Sequence, residues 1–292
     1  MTSIYRTEAG ARAIQSEYAR LLDQWPVPHE RLIVPTTQGN TFVVACGPEA
    51  GPPLILLQGS GANAALWIRD VATWARHFRV YAIDMIGEPG FSAPSRPPLS
   101  PAAYSVWLDE VLSGLHLVHV AITGVSLGGW VALSFATRHA ERVARLVLLC
   151  PAGIGRQRVW PLLKLLPLLF LGRWGRRRAM EVVAGQRAGR GYGSEQGLAA
   201  MLTLIARDFR PRRGKVPLFE DSDLRKLTMP VLLVIGGRDV LLNSEESARR
   251  VRDVVTSPTI RLLPDLGHVI WGQAEPILEF LLHRPDGQRA AV

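Results

Sequence analysis

Gly124-Val125-Ser126-Leu127-Gly128-Gly129 is the stretch on which the reading of this chain turns. It follows a strand-like run, His119-Val120-Ala121-Ile122-Thr123, and precedes a helix-like one from Trp130 to Arg138. A serine on a sharp strand-to-helix turn needs small residues two before and two after it, because a side chain there would collide with the turn. Gly124 and Gly128 supply them. Many glycine turns carry a surface serine within Gly-x-Ser-x-Gly, so the motif alone says little. The strand before it and the helix after it mark Ser126 as a candidate nucleophile.

A serine hydroxyl attacks poorly until a base takes its proton, so the reading demands a histidine, itself oriented by a carboxylate. The expected chain order puts the acid after a late strand and the histidine after the last one. Val231 to Ile235 runs into Gly236-Gly237-Arg238-Asp239, and Thr259 to Leu263 runs into Pro264-Asp265-Leu266-Gly267-His268, with a helix-like Glu275 to His283 beyond. Taken alone, Asp239 has a bland alternative as a turn or helix-cap residue. Asp265 is a rival acid, but it lies three residues from His268 and reads as a loop residue. The joint order selects Ser126 as nucleophile, His268 as general base and Asp239 as its orienting acid. Two backbone N–H groups must also face the oxyanion of the tetrahedral intermediate. Leu127 supplies one. The loop Leu57-Gln58-Gly59-Ser60-Gly61-Ala62-Asn63 should supply the other from Ser60, with Gly59 and Gly61 letting the backbone approach the substrate; its bland alternative is a plain turn.

Around these loops, strand-like runs alternate with helix-length segments: Arg31 to Val34, Phe42 to Cys46, Leu54 to Leu57, Val80 to Ile83, Val120 to Thr123, Leu146 to Cys150, Val231 to Ile235 and Thr259 to Leu263. That rhythm predicts an α/β fold, with an eight-stranded, mostly parallel sheet and helices on both faces. The turn-rich spacer Thr36 to Asn40 predicts an antiparallel hairpin at its start. Residues 151–228 break the rhythm and read as a helical cap; residues 1–150 and 229–292 read as the core, with 1–28 as an N-terminal helical extension.

The 292-residue chain carries a formal charge of +9, and its cations are nearly all arginines. Between Arg156 and Lys215 fourteen Arg or Lys face three acids, a net +11 in one insert. No interleaved aromatics or nucleic-acid motif accompany that charge, so the expectation is a solvated face or a pocket mouth that attracts acidic substrates, with no nucleic-acid partner. Cys46 and Cys150 sit in apolar runs and read as buried thiols, not as a disulfide scaffold. The N-terminal segment lacks the apolar core of a signal peptide. Leucine-rich Val159 to Trp174 carries Lys164, Arg173, Pro161 and Pro167 and falls short of the ~20 apolar residues of a spanning helix. A cytoplasmic protein without stable membrane insertion is expected; a homodimer stays open.

At these residues the chain resembles the α/β-hydrolase superfamily, specifically the capped bacterial carboxylesterases of the carboxylesterase NP (naproxen esterase) type. The likeness runs from Asp23-Gln24-Trp25-Pro26-Val27-Pro28 through Pro52 to Leu57 and Tyr81-Ala82-Ile83-Asp84-Met85-Ile86-Gly87, to the elbow and Gly267-His268. It implies the same acid and histidine positions, Asp239 and His268. Where that family usually has His-Gly, this chain has Gln58-Gly59, and Gln58-Gly59-Ser60-Gly61 also looks like the glycine-rich loop of carbon–carbon bond hydrolases acting on ring-cleavage products. Serine at 126 argues against dehalogenases and epoxide hydrolases, which need a carboxylate there. The expected function is hydrolysis of a small-molecule carboxylic ester without metal or organic cofactor. Alternatives are carbon–carbon hydrolysis, acyl transfer or cyclisation in a biosynthetic pathway, and, from another class, a non-catalytic ligand receptor. Trp67, Trp130, Trp160 and Trp271 are candidate pocket walls, each equally readable as core packing.

Overall fold

A computed structural model describes residues 4–158, 196–212 and 214–283, with positions 172, 175, 178 and 182 between them. All eight expected strands are present: β1 (His29–Thr36), β2 (Gly39–Cys46), β3 (Pro53–Leu57), β4 (Arg79–Ile83), β5 (Val120–Val125), β6 (Val143–Leu149), β7 (Val231–Gly236) and β8 (Pro258–Leu263). They form one sheet in the order β1-β2-β4-β3-β5-β6-β7-β8. β2 runs antiparallel to both its neighbours, and every pairing from β4 to β8 is parallel. The expected hairpin closes at Thr36↔Gly39, where Gly39 takes φ +100° and Thr36 Oγ1 donates to its carbonyl at 2.6 Å.

Strand side chains alternate between two cores, as the period of two requires. Ile55, Leu57, Leu146, Leu148, Leu233 and Ile235 point into one. Leu54, Leu56, Val147, Leu149, Leu232 and Val234 point into the other. The first core is closed by α3 (Pro101–Gly114), α4 (Leu127–Ala136) and α7 (Ser244–Val254); the second by α1 (Glu8–Leu22), α2 (Val71–Trp74), α5 (Gln196–Asp208) and α8 (Ala274–Leu282). Between α5 and α7 lies the one-turn α6 (Asp221–Leu224). With both faces covered, the central β5 and β7 are apolar along nearly their whole length, which is why those runs read as continuous rather than alternating.

The N-terminal segment is built into the fold rather than appended to it. Thr7 caps α1, its side chain accepting from Gly10 N at 3.0 Å, and the helix buries Ile14, Tyr18, Leu21 and Leu22. It lies against α5 so closely that a Cβ on Gly10 would stand 2.6 Å from that of Asp208. Arg6 N donates to Asp208 O at 2.7 Å, and Arg210 N to Ile4 O at 2.8 Å. The charge pattern of α1 shows an amphipathic helix but not what its apolar stripe meets.

Positions 172, 175, 178 and 182 are helical, as is α5. Trp160, and the run Val159 to Trp174 apart from position 172, lie outside the described residues. Among the described residues no helix is long and apolar enough to cross a membrane. Cys46 and Cys150 are buried free thiols.

Candidate active site

Ser126 stands between β5 and α4 with φ 52° and ψ −110°, a conformation that costs a non-glycine residue of order 1–3 kcal/mol. Its neighbours hold it there. Ser126 N donates to Leu149 O at 2.9 Å, and Ser126 O accepts from Trp130 N at 3.1 Å and Ala152 N at 3.0 Å. The flanking glycines are required by space: a Cβ on Gly124 would lie 2.5 Å from Gly128 O, and one on Gly128 2.2 Å from Leu57 O.

β7 and β8 end side by side, and their loops deliver the acid and the histidine to this turn. His268 Nε2 lies 3.0 Å from Ser126 Oγ, and His268 Nδ1 lies 2.8 Å from Asp239 Oδ2. The other carboxylate oxygen, Oδ1, accepts from Leu241 N at 2.7 Å and Leu242 N at 3.0 Å. Burial opposes ionisation of Asp239, but the hydrogen bond and charge of His268, with the Leu242 and Leu241 amides, outweigh it and hold the carboxyl below its ordinary value. The rival Asp265 is 80% exposed and pairs with Arg238 at the surface.

Cys150, at the end of β6, brings its sulfur within 4.8 Å of ligand atoms of Asp239 and His268. Burial, then the Asp239 charge, raises its thiol well above the ordinary value. A metal binds thiolate, so a thiol held neutral beside two groups already bonded to each other is a poor metal site and a fair hydrophobic neighbour for the acid.

The loop after β3 approaches the same point. Gly59 is buried, and a Cβ built on it would lie 3.5 Å from that of Ser126. Leu127 N is the first amide of α4, one of those an α-helix leaves without an internal acceptor. Gln58 is fully buried, and hydrogen bonding fixes its amide: the nitrogen donates to Ile83 O at 2.6 Å and the oxygen accepts from Met85 N at 2.8 Å. Gln58 thus ties the loop to the end of β4.

Two of the four tryptophans are core side chains, against the expectation of pocket walls. Trp130 has no exposed surface; it packs between Tyr104 and Phe219 and donates Nε1 to Pro217 O at 3.0 Å. Trp67 is buried against Trp74. Neither offers a face to a substrate. Trp271, three residues past His268, is half-buried with the Arg69 guanidinium 5.5 Å from its ring centroid.

Sequence reasoning overlooked two carboxylates beside this site. Asp84, after β4, accepts from Tyr18 Oη, Ala64 N and Phe91 N, each at 2.9 Å; burial lifts it to about 6 against the pull of those donors. Glu88 accepts from Gly61 N at 2.6 Å and Ser60 Oγ at 3.2 Å. The signal was an acid in the glycine- and proline-rich Gly87-Glu88-Pro89-Gly90, at the carboxyl end of a parallel strand where ligand sites gather.

A serine, histidine and aspartate on three loops of a mostly parallel eight-stranded sheet define an α/β hydrolase. The alpha/beta hydrolase family model matches residues 54–280, and the chain belongs to that family as a carboxylesterase-like hydrolase. Carboxylesterase YbfK of Bacillus subtilis (strain 168) is 29% identical over 279 residues, covering 90% of this chain and 89% of that one. The crystal structure of carboxylesterase CesB (YbfK) from Bacillus subtilis superposes with a TM-score of 0.81 at 26% identity over 94% of this chain and 99% of that one. Naproxen esterase (carboxylesterase NP) from Bacillus subtilis shares the fold, with a TM-score of 0.82 at 24% identity over 94% and 99% of the chains. The 2-hydroxymuconate semialdehyde hydrolase of Pseudomonas sp. (strain CF600) is 29% identical over 254 residues, 79% of this chain and 84% of that one.

Proposed function

We propose that the protein hydrolyses a small-molecule carboxylic ester through an acyl-enzyme on Ser126. The observation that carries this reading is the unbroken hydrogen-bonded line from Ser126 Oγ through the His268 ring to Asp239, closed behind Asp239 by two backbone amides. Ser126 Oγ attacks the carbonyl carbon while His268 Nε2 takes its proton. Asp239 keeps the other ring proton on Nδ1, so that Nε2 is the basic nitrogen, and steadies the imidazolium that forms. Negative charge gathers on the former carbonyl oxygen, where the N–H groups of Leu127 and Ser60 receive it. As the intermediate collapses, His268 returns its proton to the leaving alcohol. A water deprotonated by the same nitrogen then resolves the acyl-enzyme.

Gly59 forms the floor beside the nucleophile, and Trp271 is the one described tryptophan with surface to offer a substrate wall. A second reading, carbon–carbon hydrolysis of a vinylogous diketone, draws on Gln58-Gly59-Ser60-Gly61 and on the relative named for 2-hydroxymuconate semialdehyde. The test presents wild type and Ser126→Ala with p-nitrophenyl esters of short and medium acids and, separately, with a ring-cleavage diketone. Ester turnover that vanishes in the variant is the expected result. Turnover of the diketone alone selects the second reading. Turnover of neither, with a nucleophile that still takes a phosphonate probe, favours acyl transfer, and a protein inert to probe and substrates alike is a receptor.

A further inference from the structure

The Ser60–Gly61 turn is fastened by a carboxylate that the triad does not use. Both of its hydrogen bonds reach the same oxygen, Glu88 Oε2: Gly61 N at 2.6 Å and Ser60 Oγ at 3.2 Å. Gly61 sits at φ +71°, so the chain turns sharply just after Ser60. At the other end of the loop, Gln58 is bonded to Ile83 O and Met85 N. One segment, Ile83 to Glu88, therefore grips the loop on both sides of Gly59, whose backbone abuts Ser126.

We propose that Glu88 is a positioning residue for the oxyanion loop, taking the Gly61 amide and the Ser60 hydroxyl as ligands so that the Ser60 N–H is held toward Ser126. The proposal deepens the ester-hydrolase reading and rests on it. Gly61 N–H is spent on Glu88, whereas Ser60 N–H has no acceptor among the described residues and is open to an oxyanion. A donor pinned before substrate arrives stabilises charge without having to reorganise, which is where such sites gain most of their effect.

Glu88 is itself buried, at 3% exposure, inside a polar surround that tunes it. Arg96 stands ahead of α3, with Nε donating to Gly87 O at 3.1 Å; Arg212 follows α5 and donates Nη2 to Tyr104 Oη of α3 at 2.8 Å. Tyr104 and Tyr5, both held neutral by burial and pushed up to about 12, face it from α3 and the N-terminal segment, and Asp84 lies on its own loop. Burial lifts Glu88 to about 7, against the pull of the Gly61 amide, Arg96, the Ser60 hydroxyl and Arg212. The grip consequently slackens as the carboxylate takes up a proton on the acid side of neutrality.

The experiment compares wild type, Glu88→Ala and Glu88→Gln on a p-nitrophenyl ester, with a trifluoromethyl ketone as a mimic of the tetrahedral intermediate and a phosphonate to count active sites. Glu88→Ala is expected to lose about 10²-fold in kcat per titrated site with KM little changed, and the ketone's Ki to rise by the same factor. Glu88→Gln, which keeps an acceptor oxygen, should recover much of that loss and shed the ionisation near pH 7 from the acid limb of kcat. Should Glu88→Ala not fold, the Glu88→Gln pH profile decides. Glu88→Ala with wild-type kcat per site and unchanged Ki, or Glu88→Gln superimposing on wild type at every pH, overturns the proposal. Wild type without Ser126-dependent turnover overturns the hydrolase reading itself, visibly and before any Glu88 variant is measured, and the proposal with it.

Discussion

Replacing Asp239 by Asn tests the triad through its proton bookkeeping. The Asp239 carboxylate accepts from Leu241 N and Leu242 N on Oδ1 and from His268 Nδ1 on Oδ2. An asparagine has one acceptor oxygen, and the two amides claim it, because turning the amide round would set its NH2 against both of them. The NH2 then faces His268 Nδ1 and donates to it. That forces the imidazole proton onto Nε2, the atom 3.0 Å from Ser126 Oγ, where it can no longer accept the serine proton. The wrong tautomer costs about 10⁴-fold in kcat, or about 5.4 kcal/mol of transition-state stabilisation. The fold loses little, because both backbone amides keep their acceptor. Asp239→Ala, in contrast, orphans two amides and should lose about 1–3 kcal/mol of stability. The assay is kcat on a p-nitrophenyl ester alongside thermal unfolding of wild type, Asp239→Asn and Asp239→Ala. Asp239→Asn within tenfold of wild-type kcat, with Ser126 still the labelled residue, would refute the tautomer argument.

Gly128→Ala drives a Cβ to within 2.2 Å of Leu57 O and 2.5 Å of Gln58 O, backbone atoms that cannot swing aside; calorimetry should show a loss of about 1–3 kcal/mol, with activity per folded molecule falling as the oxyanion loop shifts. The buried Glu88 carboxyl rises from 4.5 to about 7 because burial opposes its charge. A carboxyl raised on folding contributes stability that is full below its unfolded value and is lost as pH rises through its folded one. Denaturant titrations between pH 4.5 and 8 should therefore show Glu88→Gln gaining on wild type as pH rises, by about 3 kcal/mol at the limit, and parallel curves would contradict this.

The sheet was legible because its strands are buried on both faces and separated by helix-length segments: β5 and β7 declare themselves as apolar runs, and the loops at their carboxyl ends carry Ser126 and Asp239. The triad followed because order along the chain becomes adjacency once parallel strands stack. Tertiary neighbours were not legible. Trp67 and Trp130 could not be assigned from the sequence, since an indole looks the same whether it meets a substrate or a second aromatic ring; the structure sets them against Trp74, Tyr104 and Phe219. Glu88 reads as an ordinary loop acid until the ends of β3 and β4 lie side by side. The apolar stripe of α1 likewise gives no hint that Tyr18 reaches Asp84, 66 residues away.

Reaction with a fluorophosphonate, read by intact mass and peptide mapping, tests the central claim most directly. The account predicts one adduct per chain, on Ser126, formed slowly in Asp239→Asn and absent in Ser126→Ala together with ester turnover. An adduct on another residue, or ester turnover that survives in Ser126→Ala, would contradict it.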